Sequence, residues 1–233
     1  MFDLRSIVIG IVLMLKRYTC VDITIYAEEN EEDYKSGIMA LPLIGIAIGF
    51  IAFIISSLKI FYDGFFVSAL ILSYYNVVTK TVTMRDTYKT LNYYIKPKNQ
   101  SEQLAGLIGI ILVNLMYFSI FRIVSSTALI VMASAGYSGL IISSSAIKRN
   151  KSNTTIMKYC GRYHIIAAFG ISFFTAAVFN YRLVVSLALT YIVLAAVVSI
   201  LDEKIKKLPN SVEGTIIEMT QLLFLIITYI LKI

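Results

Sequence analysis

The chain has 233 residues, of which 58% are hydrophobic and 15% charged; a soluble domain sits nearer about 45–50% apolar, so an ordinary soluble fold is excluded. The formal charge of +7 is spread over segments that flank apolar stretches, where topology and anionic lipid head groups account for it. Nucleic acid is therefore not an expected partner. The two cysteines, Cys20 and Cys160, belong to no CxxC or Cys/His spacing and predict neither a disulfide nor a zinc site.

The chain opens on a leader, 1–36, whose stretch Ser6–Leu15 is apolar but only about ten residues long, too short to span a bilayer. Lys16 and Arg17 follow it rather than precede it, the reverse of a secretory signal. It reads as a short interfacial helix. The acidic run Glu28, Glu29, Glu31, Glu32 and Asp33 then suits the positive end of a following helix dipole.

From residue 37 to 231 the chain predicts a single membrane domain. Apolar stretches run at 37–57, 60–79, 104–122, 125–146, 163–179, 183–200 and 213–231, each near the roughly 20 residues a spanning helix needs. The expected fold is therefore an all-α bundle of about seven transmembrane helices plus the interfacial helix. Within the first span Gly45 and Gly49 form a GxxxG, suited to close helix approach inside the bundle or between copies, and Pro42 is expected to kink it. The segment 80–103 is too long for a tight connection and too polar to span, and its Tyr, Leu and Ile predict an ordered amphipathic element. Segment 147–162 reads similarly. The fourth span is rich in Ser, Ala and Gly and belongs inside the bundle.

Seventeen of the 21 Lys and Arg residues fall in 1–36, 80–103, 147–162 and 201–212, and the alternate connections hold only Lys59, Arg122, Arg182 and Lys232. This bias predicts a plasma or inner membrane protein with its N-terminus cytoplasmic and its C-terminus external. No internal repeat of the kind common in transporters is evident.

Ionisable residues at membrane depth are site candidates, because an unpaired buried charge is costly. Glu218, inside the seventh span, is preferred as a site residue over a structural hydrogen-bonding one. Asp86, between Arg85 and Lys89, reads equally as a site residue or as a solvated ion pair. Asp63, before Gly64, reads as a turn residue, and His164, the single histidine, as an interfacial hydrogen-bonding group.

Two stretches carry a family resemblance. EEDYKSGIMALPLIGIAIG (31–49) resembles the opening of the membrane-embedded cobalamin synthases, the adenosylcobinamide-GDP ribazoletransferases, in which an acidic leader runs into F-P-L-(I/V)-G. Leu41, Pro42, Leu43, Ile44, Gly45 and Gly49 stand in those places. SVEGTIIEMTQLLFLI (211–226) resembles the family's G-D-T-L-G-A-x-x-E-L-x-E, with Gly214 and Glu218 in place, Ser211 for its aspartate and Gln221 for its second glutamate. The acidic signature D-G-x-x-D-x-x-D-G corresponds to VTMRDTYKT (82–90), where Asp86 alone is kept and Val82 and Lys89 replace the other two acids. R-D-S appears as Lys98, Asn99 and Gln100, and T-R-(I/L)-P as Thr19, Cys20, Val21 and Asp22.

The resemblance implies a transferase that condenses adenosylcobinamide-GDP with α-ribazole or its phosphate, releasing GMP, at the end of cobalamin biosynthesis. It further implies Mg²⁺ held by Asp86 and Glu218, with Lys89, Lys98 and Asn99 on the phosphates and Pro42, Gly45 and Gly49 in helix packing; the lost acids weigh against retained activity. Two other readings stand beside it. One is a non-catalytic relative binding a corrinoid, a lipid or a partner protein, and the other a small transporter working through Glu218.

Overall fold

The structure is a computed structural model describing residues 4–26, 28–58, 63–95, 104–147, 154–204 and 208–233. Among these residues it is all-helical: α1 Leu4–Tyr18, α2 Glu31–Ser57, α3 Gly64–Val78, α4 Val82–Tyr94, α5 Leu104–Phe121, α6 Ser126–Ala146, α7 Thr155–Tyr159, α8 Arg162–Phe179, α9 Leu183–Lys204 and α10 Val212–Ile230. Six of them, α2, α5, α6, α8, α9 and α10, are long and apolar enough to cross a membrane. The stretch expected at 60–79 is shorter than its pattern suggested. Its helix, α3, has 15 residues, about 22 Å at 1.5 Å per residue, and reaches a spanning length only when counted together with α4, from which it is bent by 83°.

Helix α6 is the centre. Every residue from Ala128 to Ser144 is buried, because small side chains let neighbouring helices close on it from several sides. On one side a Cβ at Gly45 would lie 2.7 Å from the Ala133 carbonyl oxygen, and one at Gly49 would lie 2.6 Å from that of Leu129. The GxxxG is thus used within the bundle to seat α2 on α6. On another side Thr220 and Gln221 of α10 fill the places that side chains at Gly139 and Gly136 would take.

Helix α2 runs unbroken through Pro42. Its first turn carries Glu31, Glu32 and Asp33, and Asp33 Oδ2 accepts the Asn30 N–H at 2.9 Å, so the end of the acidic run does cap this helix. Helix α1 is more deeply engaged than a surface helix. It crosses α2 backbone to backbone, a Cβ at Gly37 lying 2.5 Å from the Gly10 carbonyl, and it buries Met14 and Tyr18 completely.

Helices α1, α4 and α7 gather at one end of the bundle, beside the starts of α2, α8 and α10, and among the described residues this end carries Arg17, Lys35, Arg85, Lys89, Lys158 and Arg162. The turn that swings α4 across it is strained. Lys80 and Thr81 take left-handed φ values of 50° and 52°, a conformation costing roughly 1–2 kcal/mol for each non-glycine residue. It is held by Thr81 N–H donating to Asn76 O at 2.9 Å and by Cys20 N–H donating to Val78 O at 2.6 Å.

Candidate functional site

Helix α4 is the amphipathic element expected in 80–103. Thr83, Met84, Thr87 and Thr90 face inward while Arg85 and Lys89 are exposed. Its inner face lies on the first turns of α10. The approach is close because position 214 is glycine: a Cβ there would lie 2.6 Å from Asp86 Cβ and 3.0 Å from Thr83 Cα. Two side-chain bonds set the register. Thr90 and Ser211 hydroxyls meet at 2.8 Å, and Thr83 Oγ1 donates to Glu218 Oε1 at 2.5 Å.

Where α4, α10 and the end of α1 meet, an open cleft of 410 Å³ is lined by Arg17, Val82, Arg85, Asp86, Lys89, Asn210 and Ser211. Arg17 arrives from α1 and is fixed from behind. Its Nη2 donates to Glu213 Oε2 at 2.5 Å, and Glu213, only 1% exposed, also accepts Tyr18 OH at 3.1 Å and the Ile156 N–H at 3.0 Å. Asp86 is half-buried, 3.9 Å from Arg85 Nε. Burial pushes its carboxyl above the ordinary carboxylate value, opposed by the charges of Arg85, Lys89 and Arg17. A carboxylate moved this way becomes a better proton acceptor.

Glu218 lies below the cleft and is not part of its lining. It is 0% exposed, and both carboxylate oxygens are taken up by hydroxyls: Oε1 by Thr83 and Oε2 by Tyr117 OH at 2.8 Å. Tyr117 OH also lies 3.3 Å from Gln221 Oε1, which accepts the Tyr75 hydroxyl. This knot joins α3, α4, α5 and α10.

Of the site residues expected from sequence, Asp86 and Lys89 share the cleft, Glu218 sits beneath it, and Lys98 and Asn99 lie outside the described residues. Gly45 and Gly49 serve helix packing, with Pro42 buried beside them. Asp63 is the N-cap of α3, accepting Phe65 N–H at 2.9 Å. His164 ties α8 to α2, with Nε2 2.9 Å from Lys35 O and Nδ1 accepting Gly161 N–H. Arg17, Glu213 and Arg85 escaped the sequence reading as site residues. Lys16–Arg17 read as a membrane-flanking pair and Glu213 as the start of a span. The resemblance placed the family's early arginine position at Cys20, whereas the guanidinium that reaches the cleft is three residues earlier.

These residues do not fit a resident Mg²⁺ held jointly by Asp86 and Glu218. Among the described residues Asp86 is the one carboxylate on the cleft wall, beside three cations, and Glu218 would have to give up its hydroxyl partners. No group of three or more His, Cys, Asp or Glu residues suited to a metal occurs among the described residues. What the cleft offers is positive charge with hydrogen-bond donors, the chemistry that receives phosphate oxygens.

No protein-family model, curated protein or solved structure matches this chain.

Proposed function

We propose that this chain is a multi-pass protein of the plasma or inner membrane, its basic end in the cytoplasm and its C-terminus external. We further propose that it is a cobalamin-synthase-like transferase, whose cleft seats the diphosphate of adenosylcobinamide-GDP. The observation that supports the reading is convergence. The stretches 82–90 and 211–226, far apart in sequence and each resembling the family, pack face to face through Asp86 on Gly214, Thr90 on Ser211 and Thr83 on Glu218.

In the reaction the 5′-hydroxyl of α-ribazole attacks the phosphorus nearer the cobinamide, a new P–O bond forms, and the bond to GMP breaks with its electrons leaving on GMP. Arg17, Arg85 and Lys89 would hold the anionic oxygens where charge builds up on the leaving group. Asp86 would take the hydroxyl proton, a contribution of about 10²–10⁴-fold.

The test is a condensation assay: membranes containing the protein, adenosylcobinamide-GDP and α-ribazole, with the cobalamin product separated chromatographically. Product from the wild type that falls at least about 100-fold in Asp86→Asn is the expected result. Product that persists in Asp86→Asn would remove the site assignment. No product from either, beside an active relative in the same assay, would favour a second reading that a cleft with one carboxylate among its described residues also suits, namely corrinoid binding without chemistry. A transporter working through Glu218 draws little support, because that carboxylate is enclosed by hydroxyls rather than set on the open cleft.

A further inference from the structure

We propose that the cleft binds a diphosphate directly, through Arg17, Arg85 and Lys89, without a divalent metal ion. The inference rests on reading the cleft as the ligand seat and adds how its charge is met. Two elements far apart in sequence, α1 and α4, send three cations to one opening; among the described residues Asp86 lines it and Glu213 stands behind Arg17, so three positive charges meet two negative ones. A net positive opening favours an anion over a divalent cation, since charges a few ångströms apart interact appreciably even at a protein surface.

Arg17 makes this a built site rather than a patch of surface charge. Its guanidinium has five N–H donors in a rigid fork, and one side of that fork is anchored by Glu213 at 2.5 Å. Glu213 accepts from Arg17, Tyr18 and the Ile156 N–H and is 1% exposed, so it orients Arg17 and is not itself presented to a ligand. The cleft also takes in Asn210 and Ser211, at the start of the 19-residue helix α10. The positive dipole end of such a helix favours an anion in the same place.

The measurement is binding of inorganic pyrophosphate to the purified full chain in detergent, by titration calorimetry, once with excess EDTA and once with Mg²⁺. Binding in EDTA at least as tight as in Mg²⁺, which complexes pyrophosphate and lowers its charge, is expected, with Lys89→Gln and Arg17→Gln each weakening binding about tenfold or more, the scale of a charge-assisted hydrogen bond. Because Arg17 also neutralises buried Glu213, Arg17→Gln is at risk of misfolding; Lys89→Gln and Arg85→Gln, both on the exposed side of α4, then carry the test. Binding that requires Mg²⁺, binding indifferent to Lys89 and Arg85, or no binding by folded wild type would each overturn the proposal. A competition arm uses vesicles of phosphatidylglycerol against phosphatidylcholine. Displacement of pyrophosphate by the anionic lipid upholds metal-free phosphate binding but assigns the seat to a lipid head group, which overturns the corrinoid-nucleotide reading alone. Metal-free binding with no displacement, and no turnover in the condensation assay, upholds the seat while removing the transferase.

Discussion

Glu218 shows how one residue type serves two different demands. A glutamate within an apolar helix invites a functional reading because leaving it unpaired would be costly, yet here the cost is met by Thr83 and Tyr117, each donating to a different carboxylate oxygen. What these hydroxyls need is an acceptor. Glu218→Gln keeps one carbonyl oxygen in reach and is expected to stay within about 1 kcal/mol of wild type, whereas Glu218→Leu strands the Thr83 hydroxyl at about 1–3 kcal/mol, Tyr117 OH keeping the main-chain carbonyl of residue 218 at 3.1 Å and Gln221 Oε1 at 3.3 Å. Thermal midpoints followed by near-UV circular dichroism in detergent compare them. Equal losses in both variants would mean that the carboxylate itself, not its acceptor capacity, holds α10 to α4 and α5. Nothing in the residue's own sequence neighbourhood foretold these partners, since Thr83 and Tyr117 lie 135 and 101 positions away.

Between elements, the bundle is held by close approaches at particular glycines. Gly45 and Gly170 are both helical glycines, but a Cβ at Gly45 would press on the Ala133 backbone at 2.7 Å while one at Gly170 meets nothing within 4 Å. The same substitution should therefore act in opposite directions. Gly45→Ala is expected to destabilise by about 1–3 kcal/mol through overpacking, and Gly170→Ala to stabilise by up to about 1 kcal/mol through helix propensity. Matched midpoint shifts of the same sign would show that α2 does not sit on α6 as described. The GxxxG motif was legible as a packing device; whether it served α6 or a second copy was not, because small residues at that spacing suit either surface. Segment 80–103 was legible as an amphipathic element from its composition, but not the 83° bend that lays α4 on α10. That bend depends on two left-handed non-glycine residues, Lys80 and Thr81, for which no local sequence signal exists.

At the scale of the whole molecule, α1, α4 and α7 lie together at the end that also carries most of the positive charge, and the last helix finishes at the other end. In a membrane this implies opposite sides for the two termini. Native Cys20 is exposed near the basic end. A membrane-impermeant maleimide is expected to label it in inverted vesicles but not in sealed cells, and to do the reverse for Lys232→Cys in a Cys20→Ser background. Labelling of both from the same side would break the proposed topology, and an orientation opposite for both would place the cleft outside the cytoplasm.

The apolar stretches, the alternation of basic segments and the absence of a soluble composition were determined by sequence alone. They are properties of chain segments taken one at a time: length against bilayer thickness and charge against the side of the membrane. The cleft was decided only by tertiary structure. Arg17 and Lys89 are 72 positions apart, and they share a site because Gly10 on Gly37 docks α1 and Gly214 admits α4. Such contacts depend on which small residue faces which helix, a relation between surfaces that no single segment encodes.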